Sequence, residues 1–147
     1  MNYIKYCFGI ALLLSISNCY ADTFLSESEI KPFLESVMSE VAKGNISEGI
    51  IMLKPYTSVP EEKMETAILQ SKLSRKQSLD FIGRSIGYEF LGEKRVGSSL
   101  IRLIYLEKTE NYPITWMFIF YKNNNGWVIP SFKFSLDTEI PFIYEHD

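Results

Sequence analysis

"NYPITWMFIFYKNNNGWVIPSFKF", residues 111–134, decides how this chain folds. Eight aromatic rings sit in two runs, separated by the amide-rich break "NNNG" at 123–126. Asn and Gly tolerate the positive φ of a tight turn, so the stretch reads as a β-hairpin of "ITWMFIFYK" (114–122) and "WVIPSFKFS" (127–135). Pro130 has no N–H to give to a ladder, which makes the last strand an edge strand or one carrying a bulge.

Upstream, a period of two begins at Gly87. It predicts two further strands, "YEFLGEKR" (88–95) and "SLIRLIYLEK" (99–108), with turn chemistry in "VGS" and "TENYP". Alternation divides each strand into two faces. Ile114, Trp116, Phe118 and Phe120 oppose Thr115, Met117, Ile119 and Tyr121; Leu100, Arg102, Ile104 and Leu106 oppose Ile101, Leu103 and Tyr105. In the last strand strict alternation sets Trp127, Ile129, Ser131 and Lys133 against Val128, Pro130, Phe132 and Phe134. Neither face is polar throughout, whereas an antiparallel sheet with one wet face alternates more cleanly. Both faces are therefore expected to be covered, one by helices and the other by a partner, a ligand or the Pro-interrupted tail "LDTEIPFIYEHD".

The first half is helical. In "SEIKPFLESVMSEVAK" (28–43) Ile30, Phe33, Leu34, Val37, Met38 and Val41 recur at the spacing of one helix face, with Ser28 as N-cap and Gly44 as stop. A short second helix is expected in "SEGIIMLKP", started by Asn45 or Ser47. A longer third opens at "SVPEEK", where Ser58 and Glu61 have capping-box spacing. Its middle, "SKLSRKQS" (71–78), is nearly all polar. That marks either a surface segment or a place where Arg75 or Gln77 turns inward to line a cavity.

The first twenty-one residues have the layout of a secretory signal peptide: Lys5, an apolar run in "YCFGIALLLSIS", and the small residue Ala21 at the cleavage position. The apolar run is shorter than the ~20 residues of a membrane span. Cleavage after Ala21 yields an exported chain, periplasmic or secreted, from Asp22 to Asp147. The alternative is a lipoprotein anchored at Cys19 within "ISNC". Both cysteines, Cys7 and Cys19, lie in the leader, so the soluble product has no disulfide, thiolate nucleophile or cysteine metal site. With Lys5 removed it carries 14 basic and 18 acidic residues and shows no basic excess for nucleic acid.

Three helices followed by a meander ending in "IGYEFLGEKRVGSSLIRLIYLEKTENYPITWMFIFYKNNNGWVIPSFKF" resemble the NTF2-like (cystatin-like α+β) superfamily. The run "FYKNNNGW" is similar to the ends of small exported bacterial proteins of that fold. The pattern departs from the superfamily in lacking a β-hairpin between the second and third helices. The resemblance implies an α+β fold with three N-terminal helices packed on a curved four-stranded antiparallel meander. It also implies a cone that some members use as an enzyme site, others as a ligand site, while many dimerise through the sheet. By that resemblance Tyr88, Arg102, Tyr105, Trp116 and Lys133 are ligand-pocket candidates.

Catalytic motifs are scarce. His146 is the only histidine and stands next to the C-terminus; there is no GxSxG elbow, P-loop or HExxH. Asp80 and Glu89 are the carboxylates weighed as buried bases, and the pair Glu61–Glu62 suits a helix N-terminus better than a metal. No catalytic residue, metal or cofactor is assigned. The expected function is a non-enzymatic binding or interaction protein, acting as a homodimer or on a protein partner through its sheet. The alternative is a small-molecule binder or enzyme with a carboxylate in the cone cavity.

Overall fold

The computed structural model describes residues 21–145. The leader readings, Cys7 and Cys19 included, and His146 lie outside the described residues. Helices precede strands: α1 (Ile30–Ala42), α2 (Ile46–Leu53), α3 (Glu61–Ile82), β1 (Ser85–Val96), β2 (Leu100–Thr109), β3 (Ile114–Asn123), β4 (Gly126–Ser135) and α4 (Ile140–Glu145). The four strands form one antiparallel meander in the order β1-β2-β3-β4. The fold is α+β, and each expected strand is present within three residues of its expected ends.

The helices show why capping must be read with its surroundings. A capping box starts the first helical turn, but it is made by Ser26 and Glu29, with its cap two residues ahead of the expected cap Ser28. Glu29 Oε2 accepts the Ser26 N–H at 2.7 Å, and a short 3₁₀ turn then leads into α1. The Ser58–Glu61 box does not form, because Pro60 is the N-cap of α3. Thr57 bridges to Ile129 of β4 and its hydroxyl donates to the Ile129 carbonyl at 2.7 Å, which draws the chain before α3 out straight.

α1 buries Ile30, Leu34, Val37, Met38 and Val41. At ~1.5–3 kcal/mol for each fully buried aliphatic side chain, this stripe is a large part of what holds the helix down. α2 approaches α1 closely at Gly49, where a Cβ would lie 2.9 Å from Val41 Cγ2. α3 turns a sparse stripe inward: Met64, Ile68, Ser71, Arg75, Ser78 and Ile82, at helical spacing.

On the sheet, Ile101, Leu103, Tyr105 and Glu107 of β2 share the helix-facing side with Ile114, Trp116, Phe118 and Phe120 of β3. Strict alternation fails in β4. The register shifts between Ile119 and Tyr121, so Ile129 and Pro130 together stand opposite Phe120 as a bulge. Trp127 and Ile129 then share the helix side with Phe132 and Phe134, while Ser131 and Lys133 face out with Val128. Pro130 needs the bulge for the reason anticipated: it cannot donate to the ladder.

Both sheet edges are guarded. Phe24 pairs antiparallel with Trp127 through hydrogen bonds of 3.0 and 2.9 Å, closing part of the β4 edge. The approach is so tight that a Cβ on Gly126, whose φ is +141°, would lie 2.5 Å from the Phe24 carbonyl oxygen. β1 carries two register shifts, at Ser85/Gly87 and Phe90/Gly92, and the charges Glu89, Glu93, Lys94 and Arg95. Bulges and charges both discourage strand addition.

Candidate functional site

The two faces of the sheet present different chemistry. On the helix side, Glu107 is the residue that an apolar strand would not be expected to bury. It sits at 0% exposure, in step with Ile101, Leu103 and Tyr105. Arg75 from α3 reaches it with two parallel donors, Nη1 to Oε1 at 2.7 Å and Nη2 to Oε2 at 2.8 Å. The Trp116 indole donates to Oε2 at 2.9 Å, and the Ser85 hydroxyl donates to Oε1. A buried carboxylate is tolerated only when its oxygens are satisfied in this way. Four elements, α3, β1, β2 and β3, meet at this one side chain.

The arrangement has little room for chemistry. The space beside it, bordered by Ser71, Arg75, Ser78 and Phe134, is about 20 Å³, enough for one water. A second polar cluster lies towards the β1 edge. The Tyr105 hydroxyl donates to Glu35 Oε1 at 3.3 Å, and Tyr88 hydrogen-bonds the same carboxylate. Burial, with the Glu35 carboxylate beside it, pushes the Tyr105 phenol well above its usual range. For Tyr88 the hydrogen bond to Glu35 is the larger cause of a smaller rise.

The outer side carries the cavity. A space of about 550 Å³ lies between β1–β2 and the C-terminal segment, with Leu91, Ile104, Leu106, Pro113, Pro141 and Phe142 as its apolar wall. Its polar groups are Lys94, Arg102, Thr138 and, at the rim, Glu93, which Arg95 holds at 2.7 Å. Two other depressions have comparable volume. The groove between α1 and α2, about 650 Å³, is lined largely by serines and carboxylates and opens broadly to solvent. The one around Asp22 and Pro60, about 660 Å³, has two of its three charged residues, Lys54 and Glu61, paired with each other at 3.0 Å.

The sheet separates the five pocket candidates. Tyr88, Tyr105 and Trp116 lie on the helix side, the last two fully buried. Arg102 lines the outer cavity, and Lys133 is exposed on the outer side of β4, away from that cavity. Asp80 and Glu89 are exposed, as is Gln77, whereas Arg75 turns inward. Glu107 went unread from the sequence, although two signals marked it: its place in the apolar alternation of β2, and an arginine flanked by serines on α3. The tail does fold back, and its residues Thr138, Pro141 and Phe142 help wall the cavity.

Among the described residues no helix is long and apolar enough to cross a membrane, and no group of three or more His, Cys, Asp or Glu could hold a metal ion. No protein-family model matches the chain, and no curated protein matches it.

Proposed function

We propose that this is an exported binding protein of NTF2-like type that holds a small, largely apolar molecule between the outer side of its sheet and the C-terminal segment. The observation that carries the reading is the cavity of about 550 Å³ walled by Ile104, Leu106 and Phe142. Small-molecule sites typically span ~300–1,000 Å³ with apolar walls and a few convergent polar groups. The succession of helices and then a four-stranded meander supports the NTF2-like part. The packed helix side favours binding on the outer side over a site in the cone, since Tyr105, Trp116 and Phe118 fill that space.

Mass spectrometry of small molecules released from the protein, isolated from the cell that makes it, tests the reading. A compound is expected at near-stoichiometric amount and should be lost from a Leu106→Trp variant that fills the cavity. Equal recovery from both proteins would place the ligand elsewhere, and no compound from either would count against a resident ligand.

A second reading, contact with a protein partner or another copy through the sheet, is supported by one row of side chains. Val96, Leu100 and Tyr121 are cross-strand neighbours on the outer side and are 65%, 39% and 45% exposed. Light scattering tests it: a dimer that Tyr121→Glu converts to monomer supports the contact, and a monomeric parent protein removes the homodimer.

A further inference from the structure

We propose that α3 pairs with the α3 of a second copy of this chain, antiparallel, about a two-fold axis passing close to Leu69. The inference is independent of the cavity reading, because α3 packs on the opposite side of the sheet from that cavity. The first observation is a pair of leucines. The buried residues Met64, Ser71 and Ile82 mark the inward side of α3. Leu69 and Leu73 stand on the side turned away from them, 58% and 50% exposed. Four residues apart, they form one apolar ridge that the core of the chain does not use.

The second observation is the charge around that ridge. On the same outward side Glu62 and Glu65 precede the leucines, and Lys72 and Lys76 flank and follow Leu73; all four are exposed. Helix polarity accounts for acid in the first turn, but the last turn of α3 holds no basic residue and contains Asp80 instead. Within one helix the pattern sets like charges a turn apart, Glu62 near Glu65 and Lys72 near Lys76, spacings that repel. Among the described residues the side chains of these four make no hydrogen bond or ion pair. Lys63 lies to one flank of the ridge, and Glu61 is held by Lys54 at 3.0 Å.

An antiparallel copy resolves this pattern. Glu62 stands seven residues before Leu69 and Lys76 seven after it, while Glu65 stands four before and Lys72 three after. With Leu69 on the axis, Glu62 comes opposite Lys76 of the second copy and Glu65 opposite its Lys72, and the symmetry repeats both pairs. Leu73 of the second copy falls beside Glu62 and Thr66, which with Gln70 border an open depression of about 260 Å³. Asp80, the remaining charge on this side, falls past Glu62 of the second copy, at the positive end of its helix. A parallel pair would set Glu62 on Glu62 and Lys76 on Lys76, and an axis midway between Leu69 and Leu73 would set Glu62 against Asp80. Each half of the outward side complements the other half of the same helix, so the partner that fits is this chain itself.

Sedimentation equilibrium of the protein as its producing cell processes it tests the pairing, from about 10 μM to about 1 mM, since one helix pair makes an interface at the small end of specific association. A concentration-dependent dimer is expected, and Leu69→Glu should abolish it; if circular dichroism shows that variant unfolded, Leu69→Gln gives the same reading. Lys72→Glu with Lys76→Glu should weaken self-association roughly tenfold or more, and so should Glu62→Lys with Glu65→Lys. An equimolar mixture of the two double variants should recover a dimer at least as tight as the parent. A parent protein that stays monomeric throughout the range, or a dimer that survives the Leu69 change, would overturn the proposal. A dimer broken at Leu69 but indifferent to both charge reversals would overturn the antiparallel register. One that Tyr121→Glu alone disperses would overturn α3 as the interface in favour of the sheet contact.

Discussion

On the helix side of β2, Glu107 is fully buried among three donor side chains, and the space beside its partner Arg75 would admit a single water. Through the sheet, Arg102 and Leu106 border a cavity of about 550 Å³. The same strand thus supplies a sealed charge to one side and a cavity-lining charge to the other. Buried charge does not by itself identify a working site. Where every hydrogen-bonding position of a carboxylate is occupied by the protein, the group joins elements together; where charge and apolar wall adjoin open volume, a ligand can meet both.

Removing one member of the sealed cluster should produce the largest effect. Glu107→Ala leaves the Arg75 guanidinium buried without its carboxylate, and urea unfolding should show a loss of about 3–5 kcal/mol. The double change Arg75→Met with Glu107→Leu should cost less than Glu107→Ala alone, because it removes both charges together. A loss below about 1 kcal/mol for Glu107→Ala would mean that the cluster is wet, and the contrast between the two sides would collapse.

Two changes of intermediate size sharpen the same contrast. Trp116→Phe keeps an aromatic ring but removes one donor to Glu107, for an expected loss of about 1–3 kcal/mol by the same measurement. Gly126→Ala forces a side chain against the Phe24 carbonyl at a backbone angle that suits glycine. About 1–3 kcal/mol is expected, together with faster amide exchange at Trp127, whose N–H is bonded to that carbonyl.

The pH response should come from Tyr105. Its phenol is held above the ordinary value by burial and by Glu35, so above the ordinary phenol pKa of about 10 the folded state retains a proton that the unfolded chain releases. The stabilisation is fully present below that pH and falls as pH rises beyond it. Urea midpoints recorded from pH 8 to 11.5 should decline at the alkaline end, and Tyr105→Phe should flatten the decline. On the acid side Glu27 and Glu110 are held low by hydrogen bonds to Arg95 and Arg84 respectively. Their contribution is present above the ordinary carboxylate value and fades as pH falls below it; both are solvated, so this slope should be slight. The smallest effect belongs to Lys133→Ala, solvent-exposed and outside the cavity, expected to stay within about 0.5 kcal/mol.

The order of elements and the strand boundaries could be read from the sequence because period and turn chemistry are local. "NNNG" and the aromatic alternation around it required no distant partner. What failed to read locally was decided at a distance. Strict parity misplaced Phe132 and Phe134 because it could not count the bulge at Pro130, even though the proline announced one. The Ser58–Glu61 box had the right spacing, but Thr57 is claimed by β4. Arg75 was weighed as an inward residue, while its partner Glu107 lies 32 positions away and becomes visible only when α3 is docked. The outer cavity needs the tail laid across the sheet, which no periodicity encodes.

The serine–arginine–serine spacing on α3 bears on how such a sequence drifts over generations. Ser71 and Ser78 stand one turn on either side of Arg75 on the inward stripe, and both border the small space beside its guanidinium. Exchanging either charge for an apolar residue alone leaves a buried ion behind, and refilling the stripe needs larger residues in place of the serines. The all-apolar version of this interface is therefore several coordinated steps away, with each early step less stable than its predecessor. A lineage carrying this ion pair is held to it by the route out, whatever the stability of the destination.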